Sequence, residues 1–113
     1  MSPRAGNAAA IERSAPVFAA LGDATRLHVV SRLAREGPLS ITRLTEGTEV
    51  TRQAVTKHLE VLAEAGVVYD FREGRERVWE LRKEKLEAAR RALDLISQRW
   101  DEALERLRKM VEE

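Results

Sequence analysis

Residues 51–68 read TRQAVTKHLEVLAEAGVV, and this stretch decides the fold. Val55, Leu59 and Leu62 recur at intervals of four and three, which predicts one apolar stripe along an amphipathic helix. Thr51 is a favourable N-cap, and the glycine near the end of the stretch supplies a residue with which helices commonly end. The stretch therefore predicts a helix that buries one face and leaves polar side chains on the other.

A shorter amphipathic segment precedes this helix. Ser40 can cap a very short helix that ends near Gly47, where a left-handed residue is easily accommodated. A short helix, a turn and a second amphipathic helix make a helix-turn-helix pattern. Further upstream we predict one helix around residues 11–21 and another that begins after Asp23 and ends at a Gly-Pro pair.

The sequence after the helix changes to the two-residue period of β-strands. Two such runs, 67–72 and 78–81, flank a turn at 73–76, which predicts a β-hairpin. A hairpin directly after a helix-turn-helix is called a wing. The predicted fold is therefore a winged helix-turn-helix, mainly α with a small β-hairpin, in the order α-α-α-α-β-β-α.

A long final helix, about 40 Å in length, is predicted over 83–113, where no Gly or Pro interrupts the chain. Glu87 with Arg91 and Glu105 with Lys109 place opposite charges four residues apart on its solvated side. Its apolar residues follow heptad spacing, and a small domain cannot cover so long a stripe alone. We therefore predict a homodimer whose interface includes Leu86, Leu93, Ile96, Trp100 and Leu107.

Length and composition bound the function. A chain of 113 residues with 43% hydrophobic residues fits one domain over 1–113, with a flexible tail at 1–10 and the winged helix-turn-helix at 11–82. The absence of cysteine excludes disulfides and thiolate ligands and makes the cytoplasm the default compartment. No apolar run is long enough for a signal peptide or a membrane span.

Double-stranded DNA is the partner that the helix at 51–65 predicts. Its outward face is polar or cationic, and Arg, Lys and Gln are the side chains that bond phosphates or base edges in the major groove. The predicted DNA-binding residues of this helix are Thr51, Arg52, Gln53, Thr56, Lys57 and His58. The wing adds Arg72, Arg75 and Arg77, which sit at or beside the hairpin tip.

Other interpretations stay open on these residues alone. The polar helix face also fits an ordinary solvated surface, because any solvated helix face carries polar side chains. The wing tip also fits a soluble loop of mixed charge, because Glu73 and Glu76 nearly cancel its positive charge. With a net charge of only +1, the chain also fits a winged-helix module that binds protein. For His58, a structural contact inside the domain competes with a contact to phosphate.

Neither catalysis nor a metal site is predicted. The two histidines, His28 and His58, lack carboxylates at metal-ligand spacing, and no serine stands in a nucleophile elbow. No Gly-rich phosphate loop is present either. We therefore predict a protein without enzymatic activity, cofactor or bound metal.

Three segments together resemble the ArsR-type family of bacterial winged-helix repressors. They read ALGDATRL at 20–27, the stretch at 51–68, and EGRERVW at 73–79, and the likeness covers about residues 15–82. The resemblance implies a homodimer, built on the first and last helices, that binds an inverted-repeat operator and usually represses. It also implies that the six recognition-helix residues named above face DNA, together with Arg75 and Arg77 of the wing.

The chain departs from the metal-sensing members of that family. Those members carry a Cys-x-Cys pair near the short third helix, or Asp and His ligands along the last helix. This chain has no cysteine, and no histidine occurs in 83–113. It therefore resembles the branch without metal ligands, and an unidentified small-molecule effector stays an open alternative.

Overall fold

The computed structural model describes residues 3–112, and side chains are described from Ala8 onward. Met1, Ser2 and Glu113, which belong to the predicted tail and last helix, lie outside the described residues. The predicted winged helix-turn-helix is confirmed. The elements are α1 (Pro3–Arg13), α2 (Ala15–Leu21), α3 (Ala24–Glu36), β1 (Leu39–Ser40), α4 (Ile41–Thr45), α5 (Arg52–Glu64), β2 (Val68–Glu73), β3 (Glu76–Leu81) and α6 (Lys83–Glu112).

Side-chain caps fix where three of the helices begin. Asp23, Ser40 and Thr51 each accept a hydrogen bond from the backbone N–H three residues further on, at 3.0, 3.2 and 3.1 Å. Each bond satisfies a donor in the first turn that has no partner within the helix. The predicted starts of α3, α4 and α5 are therefore confirmed.

The N-terminal prediction was wrong in two respects. Residues 3–10, predicted as part of a flexible tail, belong to α1, and the single helix predicted at 11–21 is divided between α1 and α2 at Ser14. Pro16 explains the division, because its ring removes a backbone donor and clashes with the preceding turn. The alanine-rich start favours helix, and α1 packs along α6, a tertiary contact that the local sequence does not reveal.

A third strand extends the predicted hairpin into a small antiparallel sheet of order β1-β3-β2. Leu39 pairs with Trp79 across β1 and β3. Because β1 has only two residues, it shows no period of its own and was not predicted. At the tip, Gly74 has a φ of 65°, the positive value that a two-residue hairpin turn requires at its first central position.

The core lies between the helix-turn-helix and the sheet. Leu59, Leu62 and Val67 are completely buried, and Trp79 packs beneath them with 1% of its surface exposed. The tryptophan is therefore a core residue and no part of a surface site. The stripe predicted for α5 faces this core and holds the recognition helix in place.

α6 extends beyond this core. The radius of gyration is 18.4 Å, against about 13 Å for a compact domain of this size. Only the first half of α6 buries side chains, at Ala89 and Ala92, where it meets α1 and α2. Within the described residues, no helix is both long and apolar enough to cross a membrane.

The ion pairs of α6 differ from the predicted ones. Glu87 pairs with Arg90 at 3.5 Å instead of with Arg91, and Glu105 pairs with Arg108 at 2.6 Å instead of with Lys109. Both observed pairs are three residues apart, a spacing that brings side chains together as well as a spacing of four does. Arg91 therefore forms no ion pair with Glu87.

Candidate nucleic-acid interface

The start of α5 presents a polar face to solvent. Arg52, Gln53 and Lys57 are exposed. The Thr56 hydroxyl donates to the backbone carbonyl of Arg52 at 2.9 Å, and Thr51 is occupied as the N-cap. The three exposed side chains therefore keep their polar ends available, whereas the two threonines shape the helix start.

His58 turns away from this face, toward α3. Its Nδ1 lies 3.4 Å from Arg26 Nη1 and 3.8 Å from Asp23 Oδ2. Arg26 also donates from Nε to the carbonyl of Ala20 at 2.6 Å. We call Asp23, Arg26 and His58 the polar latch, because they join the end of α2, the start of α3 and the middle of α5.

The polar latch favours the charged form of its carboxylate. The backbone N–H of Arg26 bonds the carboxylate and holds the pKa of Asp23 below its usual value, and the Arg26 guanidinium and the His58 imidazole act in the same direction. Sequence reasoning assigned Asp23 only to a helix cap and gave Arg26 no role. The one available signal was that both belong to the segment at 20–27.

The wing arginines fall into two groups. Arg77 donates from Nε to Asp70 at 2.7 Å, and its guanidinium lies 4.5 Å from the centre of the Trp79 ring. Arg72 and Arg75 are exposed, and among the side chains described no carboxylate pairs with either of them. One of the three predicted arginines is therefore paired within the wing, and the other two are exposed to solvent.

One cleft connects the wing with the start of the recognition helix. Its volume is about 220 Å³, and its lining includes Arg52 from α5, Arg75 and Arg77 from the wing, and Ser40 and Thr42 at the start of α4. Glu76 is the carboxylate in that lining. Guanidinium and hydroxyl donors that converge in this way suit a phosphate group.

A second surface, apolar and exposed, follows α6. Four of the five residues predicted for the dimer interface are 44–63% exposed, namely Leu93, Ile96, Trp100 and Leu107. The fifth, Leu86, packs against the core of its own subunit. Met110 continues the heptad spacing, and two exposed apolar residues outside that spacing, Leu104 and Val111, widen the surface. We call the whole set the α6 stripe: Leu93, Ile96, Trp100, Leu104, Leu107, Met110 and Val111.

Comparison with known proteins decides the family. Residues 21–68 match a family model described as a helix-turn-helix domain. The chain is 42% identical over 85 residues to the HTH-type transcriptional regulator Rv2034 of Mycobacterium tuberculosis, covering 75% of this chain and 76% of that protein. An ArsR-like transcriptional regulator from Rhodococcus sp. RHA1 has the same fold, with a TM-score of 0.73 and 33% identity over 88% of this chain and 92% of that one.

This chain belongs to the ArsR family of transcriptional regulators. Its helix-turn-helix is therefore a DNA-binding one, and the expectation that the chain is no enzyme is confirmed by the family. A solved relative, Mb0332 from Mycobacterium bovis, is described as a homodimeric winged helix-turn-helix DNA-binding domain. It superposes with a TM-score of 0.63 and 27% identity over 94% of this chain and 93% of that one.

Metal ligands are not gathered in the described part of this ArsR-family chain. Within it, no three His, Asp or Glu side chains come together in a group that could hold a metal ion. His28 lies on α3 and His58 lies on α5, where it belongs to the polar latch.

Proposed function

We propose that the chain is a homodimeric repressor that binds an inverted-repeat operator. In each subunit α5 enters the major groove and the wing contacts the adjacent backbone or minor groove. The observation that carries this proposal is the cleft shared by Arg52 and Arg75, which brings donors from both DNA-facing elements to one place. A phosphate between them would fix the register of the exposed face of α5 on the duplex.

The exposed side chains divide into two roles in this proposal. Gln53 and Lys57 lie on the open face of α5 and are assigned to base edges, because amide and ammonium groups bond adenine and guanine there. Arg52, Arg72 and Arg75 are assigned to backbone phosphates. Thr51 and Thr56 shape the helix start through their own hydrogen bonds.

Two of the residues predicted to contact DNA are given a smaller part in DNA binding. Arg77 lines the cleft but already bonds Asp70, so we assign it mainly to the wing. His58 is assigned to the polar latch and acts on DNA through the placement of α5. Both assignments follow from the observation that these side chains have partners within the domain.

The dimer is proposed to form through α6. The α6 stripe is a continuous exposed apolar surface of the kind that marks an interface, and Mb0332 is a dimeric relative with the same fold. A two-fold dimer sets its two recognition helices about one helical turn apart, roughly 34 Å, which matches adjacent half-sites of an inverted repeat. The whole chain, residues 1–113, then acts as one domain per subunit.

Regulation is proposed to proceed without metal. The chain has no cysteine to supply thiolates, and both of its histidines lie outside 83–113. Neither of the two ligand sets expected of metal-sensing relatives is therefore available. Addition of Zn²⁺ or arsenite should leave operator affinity unchanged, and a tenfold loss on either addition would contradict this part of the proposal.

The test is a titration of the purified protein against the DNA upstream of its own gene, at two salt concentrations and with unrelated DNA as competitor. We expect selective binding that weakens steeply with salt, because bound phosphates release counterions. Lys57→Ala should weaken binding about tenfold, the scale of one good base contact. Lys109→Ala removes the same charge from the far end of α6 and is the matched control.

The outcome separates the two readings of the winged helix. Equal affinity of Lys57→Ala and wild type would refute the assigned face of α5. Binding that does not distinguish the upstream DNA from the competitor would refute the operator. A winged-helix module for protein predicts no selective DNA binding and little salt dependence, since an apolar contact is only weakly screened.

A further inference from the structure

A second cleft lies at the other end of the domain, between α1, α2 and α6. Its volume is about 330 Å³, and apolar side chains that line it include Val17, Ala88 and Leu95. Sites for small molecules are concave and mostly apolar, and this volume falls at the small end of their range of about 300–1,000 Å³. We call this space the α1/α6 cleft.

Three cationic side chains surround the α1/α6 cleft. Arg13 comes from α1, and Lys85 and Arg91 come from α6. None of the three is in an ion pair with any side chain of residues 8–112, and the described lining contains no carboxylate. A cleft lined by both apolar side chains and unpaired cations fits a ligand with an apolar body and a negative charge.

One buried hydroxyl adds a directional group. Ser14, at the junction of α1 and α2, lines the cleft and is only 5% exposed. Its hydroxyl can donate to a carboxylate oxygen, while an arginine fork bonds the same carboxylate in bidentate fashion. These groups select a carboxylate over a neutral molecule of the same shape.

A copy bound on the α6 stripe would leave this cleft open. Ala88, Arg91 and Leu95 are spaced three and four apart and share one side of α6. Leu93, Ile96 and Trp100 lie on roughly the opposite side of the same helix, given 3.6 residues per turn. Dimerisation and ligand binding can therefore use different faces of α6.

A smaller cleft beside α3 and α4 is a weaker candidate. Its volume is about 250 Å³, and its arginine, Arg32, is already engaged. Arg32 donates to Glu36 at 2.8 Å and to the carbonyls of Arg43 and Leu44 at 3.1 and 3.3 Å. Its cation is therefore not available to a ligand, in contrast to the cations of the α1/α6 cleft.

The α1/α6 cleft is physically connected to the recognition helix. The side chain of Lys85 crosses Gly66, the residue with a φ of 79° that follows the end of α5, and a methyl group at Gly66 would lie 3.0 Å from Lys85 Cε. Val17 belongs to α2, which also packs against α5. A ligand that draws the Lys85 ammonium toward the cleft therefore acts at the end of α5.

We propose that the α1/α6 cleft binds a small organic carboxylate with a compact apolar body, and that this ligand is the effector. The binding itself depends only on the cleft. The regulatory consequence rests on the proposed function, because it requires an operator whose affinity the ligand changes. Binding and regulation are therefore tested by separate measurements.

Calorimetry of the full chain with benzoate tests the site, with benzyl alcohol and benzylammonium as neutral and cationic probes of similar shape. We expect benzoate to bind at least tenfold more tightly than either. The double variant Arg13→Gln/Arg91→Gln should weaken benzoate binding at least tenfold. Arg106→Gln/Arg108→Gln removes two exposed arginines from the far end of α6, away from the cleft and from Glu87, and should leave it unchanged.

Two results would overturn the site: equal affinity for benzoate and benzyl alcohol, or unchanged benzoate affinity in the Arg13/Arg91 variant. Ala88→Leu adds bulk in the cleft without altering charge and should also block benzoate. These measurements involve no DNA, so a failure of the proposed operator leaves them valid.

Operator titration with and without saturating benzoate tests the regulatory step. We expect at least about a fivefold change in operator affinity, and the same factor in benzoate affinity when the operator is bound, because coupling is reciprocal. Selective operator binding that benzoate leaves unchanged would overturn the role as effector while leaving the site intact.

Discussion

The two exposed surfaces of this regulator, the polar one on α5 and the wing and the apolar α6 stripe, differ in how favourable their exposure to water is. The proposed DNA-facing surface consists of charged and polar side chains such as Arg52, Lys57 and Arg75, for which exposure to water is favourable. The α6 stripe consists of large apolar side chains, and Trp100 alone is 63% exposed. Exposed apolar area forgoes roughly 25 cal/mol per Å² that burial would provide.

This difference in the cost of exposure determines how much can be inferred about the function of each surface from its residues alone. An exposed arginine needs no partner, so its function depends on which other groups the fold brings beside it. An exposed apolar stripe is unfavourable until something covers it, so the stripe alone indicates an interface. The proposed dimer face therefore follows from composition and period, whereas the proposed DNA face requires the cleft that joins α5 to the wing.

The largest expected effect comes from the apolar surface. Trp100→Glu should convert the dimer into a monomer in light scattering at micromolar concentration, because a charge in the interface loses its hydration. Operator affinity should then fall at least about 100-fold, since bivalent binding is lost. Gln98→Glu places the same charge on another side of α6 and should leave both properties unchanged.

Arg52→Ala should affect only the DNA-facing surface. We expect operator affinity to fall about tenfold and the salt dependence to lose about one phosphate contact, with the dimer intact. The measurements are operator titrations over a range of salt, together with light scattering. Loss of the dimer in this variant would show that the two surfaces are not independent.

A comparison within the wing gives a smaller effect. Arg75→Ala should lower operator affinity several-fold with little change in stability. Arg77→Ala should instead lower stability by about 1 kcal/mol, the scale of one partly exposed ion pair with a cation–π contact. Denaturant unfolding and operator titration of both variants test this, and equal losses of affinity would refute the division of the wing arginines.

The smallest effect concerns the polar latch on the inner side of α5. Because the folded state lowers the pKa of Asp23, its contribution to stability is present above the pKa of the unfolded chain and is lost as pH falls through the folded value. The stability difference between wild type and Asp23→Ala should therefore be constant above about pH 5 and shrink below about pH 4. Asp23→Asn retains the cap without the charge and separates the two contributions.

Most secondary structure could be predicted, because it depends on near neighbours. Caps at Asp23, Ser40 and Thr51 lie within one turn of the donors they satisfy, so their sequence positions were sufficient. α1 and β1 were not predicted, since α1 packs along α6 and β1 pairs with β3, both distant in sequence.

The candidate site could be predicted in part. The sequence indicated which helix and which hairpin carry the polar groups, but it treated nine side chains as equivalent. In the folded chain Arg77 bonds Asp70, His58 contacts Arg26 in the polar latch, and Arg52 lines the same cleft as Arg75. No local pattern encodes these pairings, because each joins elements that meet only after folding.

The sequence by itself determined the fold class, the recognition helix, the wing and the apolar stripe of the last helix. Each of these follows from the spacing of hydrophobic residues and from single residues at turns and helix caps. Both signals depend only on residues that are near one another in sequence. Only the tertiary structure decided which cations remain available to a ligand. A cation is available or paired according to its three-dimensional neighbours, and Arg91 beside the α1/α6 cleft is available because Glu87 pairs with Arg90 instead.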